Sequence, residues 1–129
     1  MLKEPLEKLL NKARQDTEVL SVILFGSRAR GEATSASDVD ICLVLLNRPY
    51  DPLSLSRKKL EYLKMGGIDV HVYQQLPLYI RQRVIKEGKV LFVRDEESLY
   101  ELAFRTARAF EGFKHHYYEY LEEVARVGS

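Results

Sequence analysis

The sequence contains 129 residues, of which 46% are hydrophobic and 30% charged, and its formal net charge is +1. These values exclude a disordered chain and predict one folded domain over residues 1–129, while the near-neutral charge argues against a long nucleic acid as partner. No apolar stretch approaches ~20 residues, and the first ten residues carry acidic groups, so neither a membrane span nor a secretion signal is expected. The only cysteine, Cys42, excludes a disulfide framework and favours a cytoplasmic location.

The hydrophobic pattern in the first half of the chain predicts strands that alternate with helices. Two apolar, largely β-branched runs are typical of buried strands, and Asp51 followed by Pro52 marks a helix start. A third run alternates apolar residues with Asp69, His71 and Tyr73, so this strand has two unlike faces. The predicted elements are a helix over 2–14, strands over 19–25 and 39–46, a helix over 52–64 and a strand over 68–73.

The second half of the chain predicts a short helix over 77–87, a short edge strand over 89–93 and a long amphipathic helix over about 95–127. At ~1.5 Å per residue this last helix is longer than the body of the domain. It therefore either wraps the core or presents its far half to another chain, which could be a second copy of this one. The fold class that follows is a single α/β domain with a C-terminal helical tail.

A polar segment between the first two predicted strands has the residues of a phosphate site. Gly26 permits a tight turn and a close approach of backbone N–H groups, and the Ser27 hydroxyl can donate to the same phosphate. Arg28 and Arg30 could clamp phosphate oxygens with their guanidinium groups, although a surface role fits them equally well. The P-loop pattern ending in Gly-Lys-Ser/Thr is absent from the sequence.

Three aspartates are the candidate catalytic residues. Asp38 and Asp40 are two apart at the start of a strand, so their side chains leave the same face and repel each other unless a divalent cation neutralises them. Asp69 can point toward that pair if the two strands are neighbours. It would then bind a second cation or act as a general base, and both roles stay open at this point.

These residues carry a family resemblance. Gly26-Ser27, ten intervening residues and Asp38-x-Asp40, with Asp69 on a later strand, resemble the signature of the DNA polymerase β nucleotidyltransferase superfamily. Within it, the segment is similar to the minimal nucleotidyltransferases, the MntA-like antitoxins that are paired with HEPN toxins. The resemblance implies that Asp38, Asp40 and Asp69 hold one or two Mg²⁺ ions, and that Gly26, Ser27, Arg28 and Arg30 bind the nucleotide.

The resemblance also implies a small mixed sheet flanked by helices, with ATP as substrate. Such an enzyme would transfer AMP to a hydroxyl, in the minimal family a tyrosine of the HEPN RNase toxin, and so silence the toxin. Two other functions stay open. The chain could be a binding antitoxin that masks its partner with vestigial carboxylates, or a nucleotidyltransferase for a small molecule such as an aminoglycoside.

Several other residues fit structural roles better than functional ones. His71 shares a face with Asp69, yet a partly exposed structural histidine is the preferred interpretation. Arg108, His115 and Tyr117 resemble the Arg-x-His-x-Tyr type of pattern of HEPN toxins, but the helical register places aromatic residues here on an apolar stripe, so packing or a partner surface explains them more simply.

Overall fold

The computed structural model describes residues 3–26 and 40–127. In this part of the chain a four-stranded sheet is flanked by helices, and a long helix is the last element. The predicted fold class, a mixed sheet with flanking helices and a long C-terminal helix, is confirmed. The elements in chain order are α1 (Lys3–Gln15), β1 (Val19–Phe25), β2 (Asp40–Leu45), α2 (Pro52–Leu63), β3 (Asp69–Val72), a 3₁₀ turn (Tyr73–Gln75), α3 (Leu78–Glu87), β4 (Lys89–Val93) and α4 (Glu96–Val127).

The sheet has the strand order β3-β2-β1-β4. β1 runs antiparallel to both β2 and β4, whereas β2 and β3 are parallel. A parallel pair needs a crossover connection, and α2 supplies it. Because β2 and β3 are parallel neighbours, their first residues lie side by side at one end of the sheet.

Both faces of the sheet are covered, which gives two apolar layers. Alternate residues of β2 enter different layers: Ile41 and Leu43 pack with residues of α1 and α2, while Cys42 and Val44 pack with residues of α3 and the start of α4. Asp40 precedes Ile41 and therefore belongs to the α3 and α4 side. The candidate active site, described in the next subsection, includes Asp40 and lies at the end of the sheet on this side.

The third strand is shorter than its sequence pattern predicts. It ends at Val72, and Tyr73 begins the 3₁₀ turn instead of extending the strand. The Tyr73 side chain is buried, and its hydroxyl is hydrogen-bonded to the hydroxyl of Thr106 on α4. This contact explains the difference, because the chain turns where Tyr73 enters the core under α4.

Helix α4 packs on the domain only through its first turns. Leu99, Leu102 and buried Thr106 contact the core, whereas Leu121 and Val124 in the far half are 42% and 50% exposed. The far half therefore does not wrap the core, and its presentation to another chain stays a prediction. Among the helices of residues 3–26 and 40–127, none is both long and apolar enough to cross a bilayer.

Arg94 joins the end of β4 to the end of α1. Its Nε donates to the carbonyl of Val19 at 2.8 Å, and its Nη2 lies 3.0, 2.9 and 3.1 Å from the carbonyl oxygens of Ala13, Arg14 and Asp16. The last carbonyls of a helix have no partner within the helix. One guanidinium group therefore satisfies the C-terminal end of α1 and fixes it to the sheet.

We expect Arg94→Lys to lower the free energy of unfolding by about 2 kcal/mol, because an ammonium group cannot reproduce several charge-assisted hydrogen bonds with a forked geometry. Urea unfolding followed by circular dichroism measures the change. Arg83→Lys is the matched control, since Arg83 is 56% exposed and contacts Glu87 on its own helix. Equal stability of the two variants would contradict this role for Arg94.

A second polar anchor lies at the same end of α1 and joins it to α2. Asp16 Oδ2 accepts hydrogen bonds from Lys58 Nζ and Tyr62 Oη, each at 2.9 Å. Burial alone would raise the pKa of Asp16, but the bonds from Lys58 and Tyr62 outweigh burial and lower the pKa. The folded protein thus favours the ionised carboxylate, which contributes stability above about pH 4 and loses that contribution as the pH falls further.

Asp16→Asn should therefore destabilise the protein by roughly 1–2 kcal/mol at pH 7 through weakened hydrogen bonds to Lys58 and Tyr62. The difference from wild type should shrink as the pH of the measurement falls below about 4, because the carboxyl of the unfolded wild-type chain becomes protonated before that of the folded chain. Thermal unfolding at pH 7 and pH 3 makes the comparison. A difference that does not depend on pH would contradict the charge-based explanation.

Candidate active site

The ends of three adjacent strands form the candidate site. Phe25, the last residue of β1, pairs with Asp40, the first residue of β2, and Asp40 in turn pairs with Asp69, the first residue of β3. The parallel pairing of β2 and β3 is what makes the two aspartates direct neighbours. The condition that the sequence left open, that the strands bearing Asp40 and Asp69 lie side by side, is met.

His71 completes a cluster with the two carboxylates. It follows Asp69 by two residues and so leaves the same face of β3. Its Nε2 lies 3.2 Å from Asp69 Oδ2 and 3.6 Å from Asp40 Oδ1. One ligand atom from each of the three residues falls within 4.8 Å of the others. This spacing would allow the three side chains to contact one metal ion.

Gly26 closes the site on the side of β1. Its φ of +86° lies in the left-handed region, which side chains with a Cβ rarely adopt. A Cβ atom at this position would lie 2.6 Å from Asp40 Oδ2. The absence of a side chain therefore serves two purposes, the turn after β1 and the space occupied by the Asp40 carboxylate.

The electrostatics of the cluster favour a cation. Burial and the neighbouring Asp69 carboxylate raise the pKa of Asp40, and His71 offsets only part of this effect. Two carboxylates so close together repel each other, and a divalent cation between them would remove that penalty. Carboxylate oxygens are the ligands that Mg²⁺ prefers, so Asp40 and Asp69 fit the metal site that the sequence motif implies.

The predicted site residues divide into two groups. Gly26, Asp40 and Asp69 lie within the described residues, and the structure brings them together at one end of the sheet. Asp38, Ser27, Arg28 and Arg30 belong to residues 27–39, which lie outside the described part of the chain.

Two further residues of this sheet lie next to the candidate site. His71, for which a structural role is the preferred sequence interpretation, lies beside both carboxylates. The sequence indicates this face, since His71 alternates with buried Val70 and Val72 and so shares a face with Asp69. Cys42, its partner in register, is fully buried, and burial raises the pKa of its thiol far above the ordinary range, so it is not a nucleophile.

Comparison with known proteins identifies the family. Residues 7–97 match the model of the polymerase β nucleotidyltransferase family. The chain belongs to this family. A Methanocaldococcus jannaschii protein named as a protein adenylyltransferase is 40% identical to it over 78 residues, which cover 59% of this chain and 57% of that protein. The chain thus matches little more than half the length of this relative.

Solved structures share the fold. A crystal structure of a toxin–antitoxin complex with AMP-PNP contains a chain that aligns with a TM-score of 0.67 and 20% identity, over 94% of this chain and 96% of that one. A second alignment involves a complex of a tri-AMPylated Shewanella oneidensis HEPN toxin with an MNT antitoxin. It has a TM-score of 0.64 and 17% identity, and covers 96% and 98% of the two chains. At these identities the likeness shows the fold, and the family predicted from the Gly-Ser and Asp-x-Asp motifs is confirmed by the family match.

Proposed function

We propose that this chain is a Mg²⁺-dependent nucleotidyltransferase that transfers AMP from ATP to a protein hydroxyl, acting as the antitoxin of a HEPN toxin. The observation that carries the proposal is the direct pairing of Asp40 with Asp69 beside Gly26, in a chain of the polymerase β nucleotidyltransferase family. The relative named as a protein adenylyltransferase supports AMP transfer. The structural neighbours that contain AMP-PNP and an AMPylated HEPN toxin support the nucleotide and the partner.

The reaction requires a hydroxyl oxygen to attack the α-phosphorus of ATP while the bond to pyrophosphate breaks. A bound Mg²⁺ ion would neutralise the charge that develops on the phosphate oxygens. Asp38 and Asp40 would hold this ion against the triphosphate. The turn at Gly26 and Ser27 would place backbone N–H groups and a hydroxyl on the phosphates, and Arg28 and Arg30 would add charge.

Asp69 would act on the acceptor side of the site. Its side chain is 48% exposed, whereas that of Asp40 is 29% exposed, so an incoming hydroxyl reaches Asp69 more readily. A carboxylate at this position would accept the proton of the acceptor hydroxyl directly, or hold a second cation that lowers the pKa of that hydroxyl. The acceptor in this proposal is a tyrosine of the HEPN partner.

Transfer of label from ATP to a purified HEPN toxin tests the function. We expect wild-type protein with Mg²⁺ to transfer label from α-³²P-ATP and not from γ-³²P-ATP, because AMP is attached and pyrophosphate leaves. The Asp38→Asn/Asp40→Asn variant should transfer none. Phosphodiesterase release of AMP from a labelled tyrosine peptide identifies the acceptor.

The same assay separates the alternatives. If wild type and the double variant neutralise the toxin equally and neither transfers label, the chain acts by masking its partner and the enzymatic proposal is wrong. If label appears on an added aminoglycoside and not on the toxin, the chain is a nucleotidyltransferase, but its acceptor is a small molecule and the proposed protein acceptor is wrong.

A further inference from the structure

We infer that His71 is a nitrogen ligand of the cation bound by Asp40 and Asp69, so that this site prefers Mn²⁺ to Mg²⁺. The inference rests on the proposed function in assuming that a divalent cation occupies the cluster. It adds a residue that lies outside the Gly-Ser and Asp-x-Asp motifs, and it predicts the relative affinity of the site for Mn²⁺ and for the Mg²⁺ of the proposed reaction.

The distances within the cluster are the first support. Ligand atoms that lie ~2.1 Å from an octahedral cation and at right angles to one another are ~3.0 Å apart. The separations of His71 Nε2 from the carboxylate oxygens of Asp69 and Asp40, 3.2 and 3.6 Å, are close to this value. A cation could therefore contact all three side chains after small rotations.

The orientation of the histidine ring is the second support. Phe25 packs edge-on against His71, with the ring centroids 5.5 Å apart and the planes at 73°. The backbone of His71 is fixed by pairing with Cys42 in the interior of the sheet. The ring is thus held with Nε2 directed at the two carboxylates, which is the arrangement that a metal ligand needs.

The chemistry of the donor set gives the metal preference. Mg²⁺ is bound almost entirely by oxygen, and an imidazole in its coordination shell is unfavourable. Imidazole nitrogen strengthens binding of first-row transition metals, and a site that mixes carboxylates, imidazole and phosphate oxygens accommodates octahedral Mn²⁺. A histidine in place of a third oxygen ligand therefore shifts selectivity away from Mg²⁺.

The test measures cation binding without turnover. Mn²⁺ is titrated into the full chain with α,β-methylene-ATP, whose α–β bond is not cleaved, and bound Mn²⁺ is followed by electron paramagnetic resonance. Mg²⁺ affinity is obtained by competition. We expect His71→Gln to weaken Mn²⁺ binding at least about tenfold, the lower range for loss of a metal-supporting contact, and to weaken Mg²⁺ binding much less. His71→Asp, which supplies oxygen, should move the preference toward Mg²⁺.

Electron spin echo modulation then identifies the ligand directly. Nitrogen modulation on bound Mn²⁺ should be present in wild type and in the control His115→Gln, whose histidine is exposed on α4, and should be lost in His71→Gln. Circular dichroism verifies that the variants are folded. Absence of the His71-dependent nitrogen signal, or equal loss of Mn²⁺ and Mg²⁺ affinity, would show that His71 only positions Asp69 and would overturn the inference.

Failure of this inference and failure of the proposed AMP transfer give different results. A nitrogen signal from His71 in a protein that transfers no label would leave the metal site in place and remove the enzymatic function. Label transfer with no His71-dependent nitrogen signal would support the enzymatic function and overturn the role of His71 as a metal ligand.

Discussion

Replacing Asp69 with asparagine is expected to slow AMP transfer about 10²–10⁴-fold, the range associated with loss of a group that assists proton removal. Asparagine has nearly the same shape as aspartate and can keep a hydrogen bond to His71, so the geometry of the strand end should survive. What is lost is the negative charge. That charge supports ionisation of the acceptor hydroxyl, whether by direct contact or through a shared cation.

The stability of the Asp69→Asn variant provides an internal control. Asp69 raises the pKa of Asp40, which means that the neighbouring charges disfavour each other in the folded protein at neutral pH. Removing one charge relieves this repulsion, so the thermal midpoint should not fall. A large loss of activity with unchanged or raised stability would locate the defect in the chemistry.

Glu61→Gln is the matched charge control. Glu61 is exposed on α2, which covers the opposite side of the sheet, and its removal should leave transfer within about twofold of wild type, as expected for a surface substitution. Full transfer activity in Asp69→Asn would show that the carboxylate is not part of the reaction.

A single methyl group added at Gly26 is expected to slow AMP transfer substantially, although less than the upper range expected for Asp69→Asn. In Gly26→Ala the new Cβ atom would lie 2.6 Å from Asp40 Oδ2, so the carboxylate must rotate away. The moving group is the end of a side chain, and the protein can therefore still fold. A displacement of about 1 Å at a catalytic group can lower the rate ~10²-fold, and we expect a loss of this size in AMP transfer.

Gly66→Ala is the control that distinguishes the effect of the steric contact with Asp40 from the effect of backbone strain. Gly66 has a φ of +75°, similar to that of Gly26, but a Cβ atom there meets nothing within 4 Å. Both variants should lose roughly 1–2 kcal/mol of stability because alanine disfavours the left-handed conformation. Only Gly26→Ala should lose activity. Equal transfer rates in the two alanine variants would mean that the space at Gly26 is not needed for the placement of Asp40.

The sequence pattern predicted most of the architecture because hydrophobic periodicity and capping residues act locally. β1 was predicted at its observed bounds, and Asp51 with Pro52 located the start of α2. The family was recognisable because its motif is a local sequence pattern, with Gly26-Ser27 after one predicted strand and Asp38-x-Asp40 at the start of the next. Local patterns of this kind require no knowledge of distant contacts.

What the sequence could not supply depends on tertiary contacts. Strand β3 is shorter than predicted because the Tyr73 hydroxyl is hydrogen-bonded to Thr106 on α4, more than thirty residues away in the sequence. The role of His71 depends on which strand lies beside β3, and the alternation alone shows its face but not its neighbour Asp40. The exposed far half of α4 has the same amphipathic pattern as its packed beginning, so the pattern could not show where the packing ends.

The most direct test of the central claim is the position of a cation relative to Asp40 and Asp69. Crystals grown with α,β-methylene-ATP and Mn²⁺ would locate the ion by its anomalous scattering. We predict an anomalous peak within about 2.3 Å of a carboxylate oxygen of each residue, in contact with the triphosphate. A bound nucleotide with the cation remote from both aspartates, or with Asp69 turned away from it, would contradict the account.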